Sequence, residues 1–429
     1  MKYVLNALNR LESKKHDHFG DIYFIQKTTH RDDVIIIDAP SAKILEKISN
    51  NKQLSAEEEA QNFKRIARLV SENILVPLEA PRIRKTEPIA KSINLWLQVT
   101  DSCNLACDYC YIPSLYSDKT LRSDIFSLLF QHFKEIKGLE TVHLKLAGGE
   151  PLMVFSVWKE GVQWLRTQLK SIGINLDLRI ITNLTRLTNE MVAFFKKHNV
   201  IISVSVDGLG ETHDQHRKHK NGAGSFKTVM VNINRLRERG VLPSVMITVA
   251  GDNYLGVPAL VEYLIEKDMT FRISDAKGDY LTADQFEQTM DVVNTLLDKS
   301  IEDGYPVSRR VIFSDLRTHE AANTPCSMGS HAAAIYIDGS VYFCHTEFEK
   351  GQPLGHLSGE QNLLSIIRTG RHKHFGLSDD CQSCKYRFVC AGGCPLYRVN
   401  GKSPMCHVYK KVISQVFDIY DKEDSNQHG

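Results

Sequence analysis

Short apolar runs alternate with amphipathic stretches through the middle of this chain. Strand-length runs rich in Val, Ile and Leu lie at 94–100, Val142–Leu146, Leu178–Ile181, Ile201–Val206, Ser244–Val249 and Phe271–Ser274. Between them, apolar residues recur at helical spacing over Ser123–Ile136, Trp158–Ser171, Thr188–Lys197, Ser225–Arg239 and Val257–Lys267. Repeated strand–helix units predict the α/β class, with a parallel sheet covered by helices. In such folds ligand-binding groups collect on the loops after strand C-termini.

The pattern differs on either side of this region. Before it, Asp21–Gln26 and Asp33–Asp38 read as two strands joined by a polar turn. Ser41–Ser49 follows with Ile44, Leu45 and Ile48 on one helical face. Ser55-Ala56-Glu57-Glu58 is a capping box that opens a second helix, carrying Phe63, Ile66, Ala67 and Val70 on its apolar face. Residues 79–88 hold two prolines and mixed charge, including Arg82, Arg84 and Lys85, and read as a linker. After about 283 the chain is helical, then irregular to about 320, and the end beyond Tyr420 is polar and expected to fray. The division expected is 1–80, a linker at 81–92, a central unit at 93–305, a C-terminal unit at 306–415 and a tail at 416–429.

Composition narrows the picture. At 429 residues with 42% apolar side chains the chain has enough material for two or three packed cores. A net charge of +2 without a basic stripe argues against nucleic-acid binding. The first residues lack the apolar core of a signal peptide, and no apolar run is long enough to span a bilayer, so a cytoplasmic protein without membrane partners is expected. Cysteines there stay reduced, which favours metal ligation over disulfides. All ten cysteines fall into two groups, 103–110 and 326–406.

The first group is Cys103-Asn104-Leu105-Ala106-Cys107-Asp108-Tyr109-Cys110, directly after the first central strand. Three thiolates do not close a tetrahedral metal site or a four-iron cubane, so one metal position is left for a small molecule unless a distant residue fills it. A zinc knuckle or buried free thiols are the bland alternatives. The spacing, with an aromatic before the last cysteine, resembles the signature of radical SAM enzymes. There the cysteines hold a [4Fe-4S] cluster whose fourth iron binds S-adenosylmethionine, and Tyr109 would pack by the adenine. Other strand ends carry the same resemblance. Gly148-Gly149-Glu150-Pro151 matches the family's GGEP motif, whose backbone and glutamate hold the methionine amino group. Thr182-Asn183 matches a polar pair near the cofactor. Ser205-Val206-Asp207-Gly208 is similar to Ser-x-Asp-Gly, whose serine lies by the cofactor, and Arg217 is placed to pair with the methionine carboxylate. His213, His216 and His219 read as loop residues. The resemblance implies a partial (β/α)6 barrel.

The second group, Cys326, Cys344, Cys381, Cys384, Cys390, Cys394 and Cys406, with Gly339 between the first two, resembles the seven-cysteine SPASM extension of radical SAM peptide maturases; zinc clips are the alternative. The resemblance implies two auxiliary iron–sulfur clusters, one on Cys381, Cys384, Cys390 and Cys406 and one on Cys326, Cys344 and Cys394. The latter lacks an eighth cysteine present in some relatives, which leaves a substrate atom, His319, Glu320 or another residue to complete it. The N-terminal module resembles the winged-helix-like PqqD fold, which lends a sheet edge to a leader peptide; a plain packing module is the alternative.

The resemblance implies a radical SAM maturase that cleaves S-adenosylmethionine to a 5′-deoxyadenosyl radical and installs a carbon–carbon, ether or thioether crosslink in a ribosomally made precursor peptide. Its expected partners are that peptide, bound by its leader, and a flavodoxin- or ferredoxin-type reductant. A base for a later proton loss would come from Asp207, His345 or His407. The alternative product is the formylglycine of the sulfatase-maturing branch. That branch commonly carries an aspartate after the second auxiliary-cluster cysteine, where this chain has His345. A non-enzymatic zinc or iron–sulfur scaffold that binds peptides is the reading from another class.

Overall fold

The computed structural model describes every residue except 1–2, 6–8, 17–19, 28–33, 51, 72–73, 78–90, 111–117, 319–323, 350, 383, 385 and 428–429. It divides into two compact units, Met1–Pro88 with Arg317–Asn323, and Ile89–Leu316 with Thr324–Gly429.

The smaller unit contains β1 (Tyr3–Leu5), β2 (Asn9–His16), β3 (Gly20–Lys27), β4 (Val34–Ile37) and β5 (Leu75–Pro77), with helices α1 (Ala39–Ser49), α2 (Ala56–Gln61) and α3 (Phe63–Ser71). β2, β3 and β4 form an antiparallel meander, and β1 pairs antiparallel with β5. The expected capping box is present: Glu58 N donates to Ser55 Oγ at 3.2 Å and Ser55 N to Glu58 Oε2 at 2.8 Å. Ile44, Leu45, Ile48, Ile66 and Leu69 make the core. Strand β2 is an addition to the expected elements. Its sequence, Asn-Arg-Leu-Glu-Ser-Lys-Lys-His, has a single apolar residue and so no apolar alternation to read. The linker expected at 81–92 lies outside the described residues up to 90, and a strand already begins at Ser92.

In the larger unit six parallel strands occur where sequence periodicity placed them: β6 (Ser92–Thr100), β7 (Thr141–Gly148), β8 (Asn175–Thr182), β9 (Ile201–Ser205), β10 (Ser244–Val249) and β11 (Phe271–Asp275). Helices α4 (Ile125–Glu135), α5 (Phe155–Ser171), α6 (Asn189–Lys197), α7 (Glu211–His216), α8 (Phe226–Glu238) and α9 (Val257–Glu266) connect them. α10 (Ala283–Ser300) and the single turn α11 (Val307–Arg310) lead to β12 (Val311–Phe313), a further parallel strand beside β11. The other edge is extended by β13 (Ala332–Ile335), parallel to β6, and by the antiparallel β14 (Ser340–Tyr342) and β15 (Gly355–His356). The ten-stranded order is thus β12-β11-β10-β9-β8-β7-β6-β13-β14-β15. The extra strands have two to four residues, too few to show a period.

Five of the six central strands have two unlike faces; β6 is buried on both from Leu95 to Thr100. Along β7, Val142, Leu144 and Leu146 are wholly buried under helices. Thr141, His143 and Lys145 alternate with them and stay partly accessible. β8, β9, β10 and β11 repeat this pattern. A parallel strand covered by helices on both sides reads as a continuous apolar run. Alternation marks a sheet that curves around a polar lumen, as in the partial barrel expected.

After β15 come α12 (Leu363–Thr369), α13 (Asp379–Gln382), α14 (Arg387–Cys390) and α15 (Cys406–Gln427). The tail expected at 416–429, frayed beyond Tyr420, is instead helical to Gln427. Val408, Val412, Ile413, Val416, Ile419 and Tyr420 form a buried stripe at helical spacing. Buried Glu423 anchors the end, accepting from Ser308 N at 2.8 Å and Ser308 Oγ at 2.9 Å.

Candidate active site

The site is assembled at the C-terminal ends of β6 to β10. The loop after β6 carries Cys103, Cys107 and Cys110, and the loop after β7 is sewn to it through the backbone. Gly149 N donates to Thr100 O and Glu150 N to Ser102 O, both at 2.8 Å. A Cβ on Gly148, at φ +145°, would lie 2.3 Å from Thr100 O, and one on Gly149 would lie 2.2 Å from Ser102 O. The glycines therefore permit close approach of two loop backbones, the one carrying the cysteines and the one carrying Glu150.

Glu150 is wholly buried and joins the second loop to the third. Its carboxylate accepts from Leu152 N at 2.9 Å, Thr182 Oγ1 at 2.6 Å and Asn183 N at 2.7 Å. Burial pushes its carboxyl above the usual range against the pull of these three donors. Pro151 opens the following turn, and its carbonyl accepts from Trp158 Nε1 at 2.9 Å. Asn183 Nδ2 donates to Asn104 Oδ1 at 3.0 Å and reaches Cys103 Sγ at 3.7 Å.

The fourth loop supplies a buried ion pair. Arg217 Nε donates to Asp207 Oδ2 at 2.5 Å, and Nη1 stands 3.9 Å from Cys107 Sγ. The guanidinium carbon lies 5.5 Å from the centre of the Tyr109 ring, and the Tyr109 hydroxyl donates to the same Asp207 oxygen. Asp207 Oδ1 accepts from Thr248 N at 2.8 Å. Burial works against the Arg217 charge, but Asp207, Tyr109 and Cys107 together outweigh it and hold the guanidinium well above its ordinary range. Ser205 ends β9, partly accessible and in register with Met246.

The donor chemistry of the loop suits a cluster. None of the ten cysteines is joined in a disulfide. Burial first, then the Glu150 charge, pushes the Cys103 thiol up to about 12, and burial raises Cys107 to about 11. A polynuclear cation that repays the lost proton fits such thiols. Among the described residues no three His, Cys, Asp or Glu side chains converge as one metal ion requires.

In the C-terminal part, Cys381, Cys384, Cys390 and Cys406 line one hollow of about 360 Å³. The hollow brings together the four residues that the SPASM resemblance assigns to a single cluster. Cys394 lines a second hollow of about 300 Å³ with Asp275, Lys277, Tyr397 and Ser403. Cys344 follows β14, its Sγ 3.6 Å from His345 Nδ1. Of the suggested fourth ligands, His319 and Glu320 lie outside the described residues.

The structure separates the three suggested bases. Asp207 is occupied by Arg217, Tyr109 and Thr248. The His345 ring lies flat on Trp96, 3.8 Å away at 6°. His407 is mostly exposed on α15, 3.8 Å from Glu287, and is not part of the site. His213 and His216, expected as loop residues, are buried in α7: His213 Nε2 meets Ser225 Oγ at 2.9 Å and His216 Nδ1 meets Asp108 at 2.9 Å.

Two charged groups were not singled out from sequence. Lys277 Nζ donates to Asp275 at 2.9 Å, Asp315 at 2.5 Å and Tyr409 Oη at 3.4 Å. Arg398 donates to Ala391 O at 2.9 Å and His374 O at 3.0 Å, and the charges of Cys394, Cys381, Cys390 and Cys326 all act on it. A strand-end position could have flagged Lys277; Arg398 carries no such signal.

Residues 97–264 match the Radical SAM superfamily model, and with the strand-end loops described above they define a radical SAM enzyme, a class that takes a [4Fe-4S] cluster and S-adenosylmethionine. More particularly, it is a radical SAM maturase. A serine-type anaerobic sulfatase-maturating enzyme from Bacteroides thetaiotaomicron is 27% identical over 391 residues, spanning 79% of this chain and 94% of the relative. The sporulation killing factor maturation protein SkfB of Bacillus subtilis is 27% identical over 306 residues, 68% of each chain. The fold is similar to that of anSMEcpe with bound AdoMet and the Cp18Cys peptide, with TM-score 0.66, 19% identity and coverage of 78% of this chain and 99% of that one. It is also similar to that of Streptococcus suis SuiB bound to the precursor peptide SuiA, with TM-score 0.55, 15% identity and coverage of 94% and 98%. No helix among the described residues is long and apolar enough to cross a membrane.

Proposed function

We propose that this maturase removes a hydrogen atom from a side chain of a peptide substrate, with Cys103, Cys107 and Cys110 as the ligands of the radical SAM cluster. The observation that carries this reading is the joining of the three loops: Glu150 and the Gly148–Gly149 backbone tie the cysteine loop to the ends of β7 and β8. Bound there, the cluster and S-adenosylmethionine supply a one-electron cleavage that generates an oxidant able to attack an unactivated carbon. The protein's part is placement and exclusion of water. Arg217 offers a guanidinium for the cofactor's carboxylate, Tyr109 an aromatic face, and Glu150, Asn183 and Ser205 the polar wall beside them.

In this reading Cys381, Cys384, Cys390 and Cys406 hold one auxiliary cluster, and Cys326, Cys344 and Cys394 hold the other. A flavodoxin- or ferredoxin-type protein supplies electrons. The product is a crosslink in a ribosomally made precursor whose leader docks on the sheet of residues 1–80. The likeness to SuiB over nearly the whole chain and His345 after Cys344 favour it. Formylglycine formation is the second reading. It has the stronger support from sequence, because curated relatives matched over most of their length are sulfatase-maturating enzymes.

The deciding experiment incubates the reconstituted, reduced enzyme with the peptide encoded by the short open reading frame beside its gene, and separately with a sulfatase-derived peptide. A product that resists fragmentation between two residues and does not react with a hydrazide establishes the crosslink. A hydrazide-reactive aldehyde on the sulfatase peptide establishes formylglycine. Absence of 5′-deoxyadenosine under strong reduction overturns both.

A further inference from the structure

We propose that the lumen of the partial barrel, walled by Lys145, Arg272, Trp96 and His345, binds a carboxylate carried by the substrate. The proposal rests on the peptide substrate inferred above, since carboxylates are the anionic groups an unmodified peptide brings.

The lumen is cationic. On the faces turned away from the helices, β7 presents Lys145, β8 Arg179 and β11 Arg272, all partly accessible. Register places Trp96 beside Lys145 and Lys145 beside Arg179, and the curvature brings Arg272 of β11 close enough for its charge to act on Lys145 and on His345. Arg179 has a counter-ion, Asp177, at 2.8 Å. Among the described residues Lys145 Nζ has no ion pair or hydrogen bond, and it stands 5.8 Å from the centre of the Trp96 ring. Arg272 spends one donor on Ser314 Oγ at 2.7 Å, while its buried Nε has no partner.

Burial, then Arg272 and Arg179, hold the Lys145 ammonium down to about 8. Interior charges are ordinarily paired, because an isolated one forfeits hydration without return. Two cations facing one space are therefore a receptor lacking its anion. The shape suits a carboxylate: a guanidinium and an ammonium offer donors, and the Trp96–His345 stack offers a flat wall. Lys145 lies three residues before Gly148, about 10 Å below the loop at the rise of a strand. His345 follows Cys344. A carboxylate held here would place the neighbouring residue of the peptide under the Cys103 and Gly148 loops.

The test titrates full-length, reconstituted protein anaerobically, with S-adenosylmethionine present so that its own carboxylate is already bound. N-acetylglutamate α-amide is compared with N-acetylglutamine α-amide for a side-chain carboxylate, and N-acetylglycine with its amide for a terminal one. One charged probe is expected to bind about tenfold or more tightly than its neutral partner. That preference should vanish in Lys145→Met and Arg272→Met and return in Lys145→Arg. The pair that shows it names the source of the carboxylate. Equal binding of charged and neutral probes, no binding of any probe, or a preference that survives both methionine variants overturns the proposal. Thermal unfolding without probe gives an independent readout. Lys145→Met should melt above the wild type, because an uncompensated cation is gone; melting below it would mean that Lys145 is paired, and would also overturn the proposal. The peptide-modification reading fails on a different measurement, the absence of product, which leaves these binding preferences readable.

Discussion

Asp207 and Arg217 form a buried ion pair at 2.5 Å, ten residues apart in the chain, and the Tyr109 hydroxyl of the cysteine loop donates to the same carboxylate oxygen. One aspartate thus orients the cation and the aromatic ring closest to Cys107. Removing one member of a buried pair leaves the other uncompensated, at about 3–5 kcal/mol. Asp207→Asn and Arg217→Met should each lose stability of that order in denaturant titrations. Their combination should lose less than the sum, since neither orphaned charge remains. Both single variants should also bind S-adenosylmethionine more weakly in equilibrium dialysis.

The cysteine groups should be separable by iron content. Replacing Cys103, Cys107 and Cys110 with Ala should remove about four irons and abolish 5′-deoxyadenosine formation. Replacing Cys381, Cys384, Cys390 and Cys406 should remove about four others while leaving cofactor binding at the first site. Iron analysis with electron paramagnetic resonance reads both, and zinc in place of iron would refute the cluster assignment.

Gly149→Ala tests the seam between the first two loops. The new methyl would lie 2.2 Å from Ser102 O and 2.5 Å from its carbonyl carbon, both backbone atoms, so the loops must part. Weakened S-adenosylmethionine binding and a lowered melting temperature are expected together. Gly173→Ala provides the control: at φ +77° with nothing within 4 Å of the added carbon, it should cost only the backbone strain, about 1 kcal/mol, and leave cofactor binding intact.

His213 predicts a pH dependence. It is buried between Asp207 N and Ser225 Oγ, and burial, reinforced by Arg217, holds its imidazole down to about 4. The unfolded chain, with the ordinary value near 6.5, binds the proton first, so stability is complete above that pH and falls as pH drops toward 4. The slope should approach 1.4 kcal/mol per pH unit, for about 3 kcal/mol in all. Urea midpoints measured from pH 7 to 4 should show this slope, and His213→Gln should flatten it.

The three loops that meet at the site were legible in the sequence because each sits where an apolar period ends. Burial against helices fixes that period locally, so six strands and five connecting helices could be placed from spacing alone. What the loops do to each other was less legible. Gly148 and Gly149 suggest a close approach to a ligand, whereas they let two backbones touch. His407 looks available from its place after Cys406, yet α15 turns it outward.

By itself the sequence determined the six central strands, five of the helices between them and the loops at the strand ends, and which ten thiols come in two groups, because these follow from nearest-neighbour periodicity and composition. Only the tertiary structure decided that Asp207 belongs to Arg217, that four scattered cysteines share one hollow, and that Lys145 and Arg272 face one lumen with no counter-ion among the described residues. A polar residue on an alternating strand declares its face. Which residue stands opposite depends on register and on the curvature of a sheet whose strands are distant in the chain, and no local pattern records that.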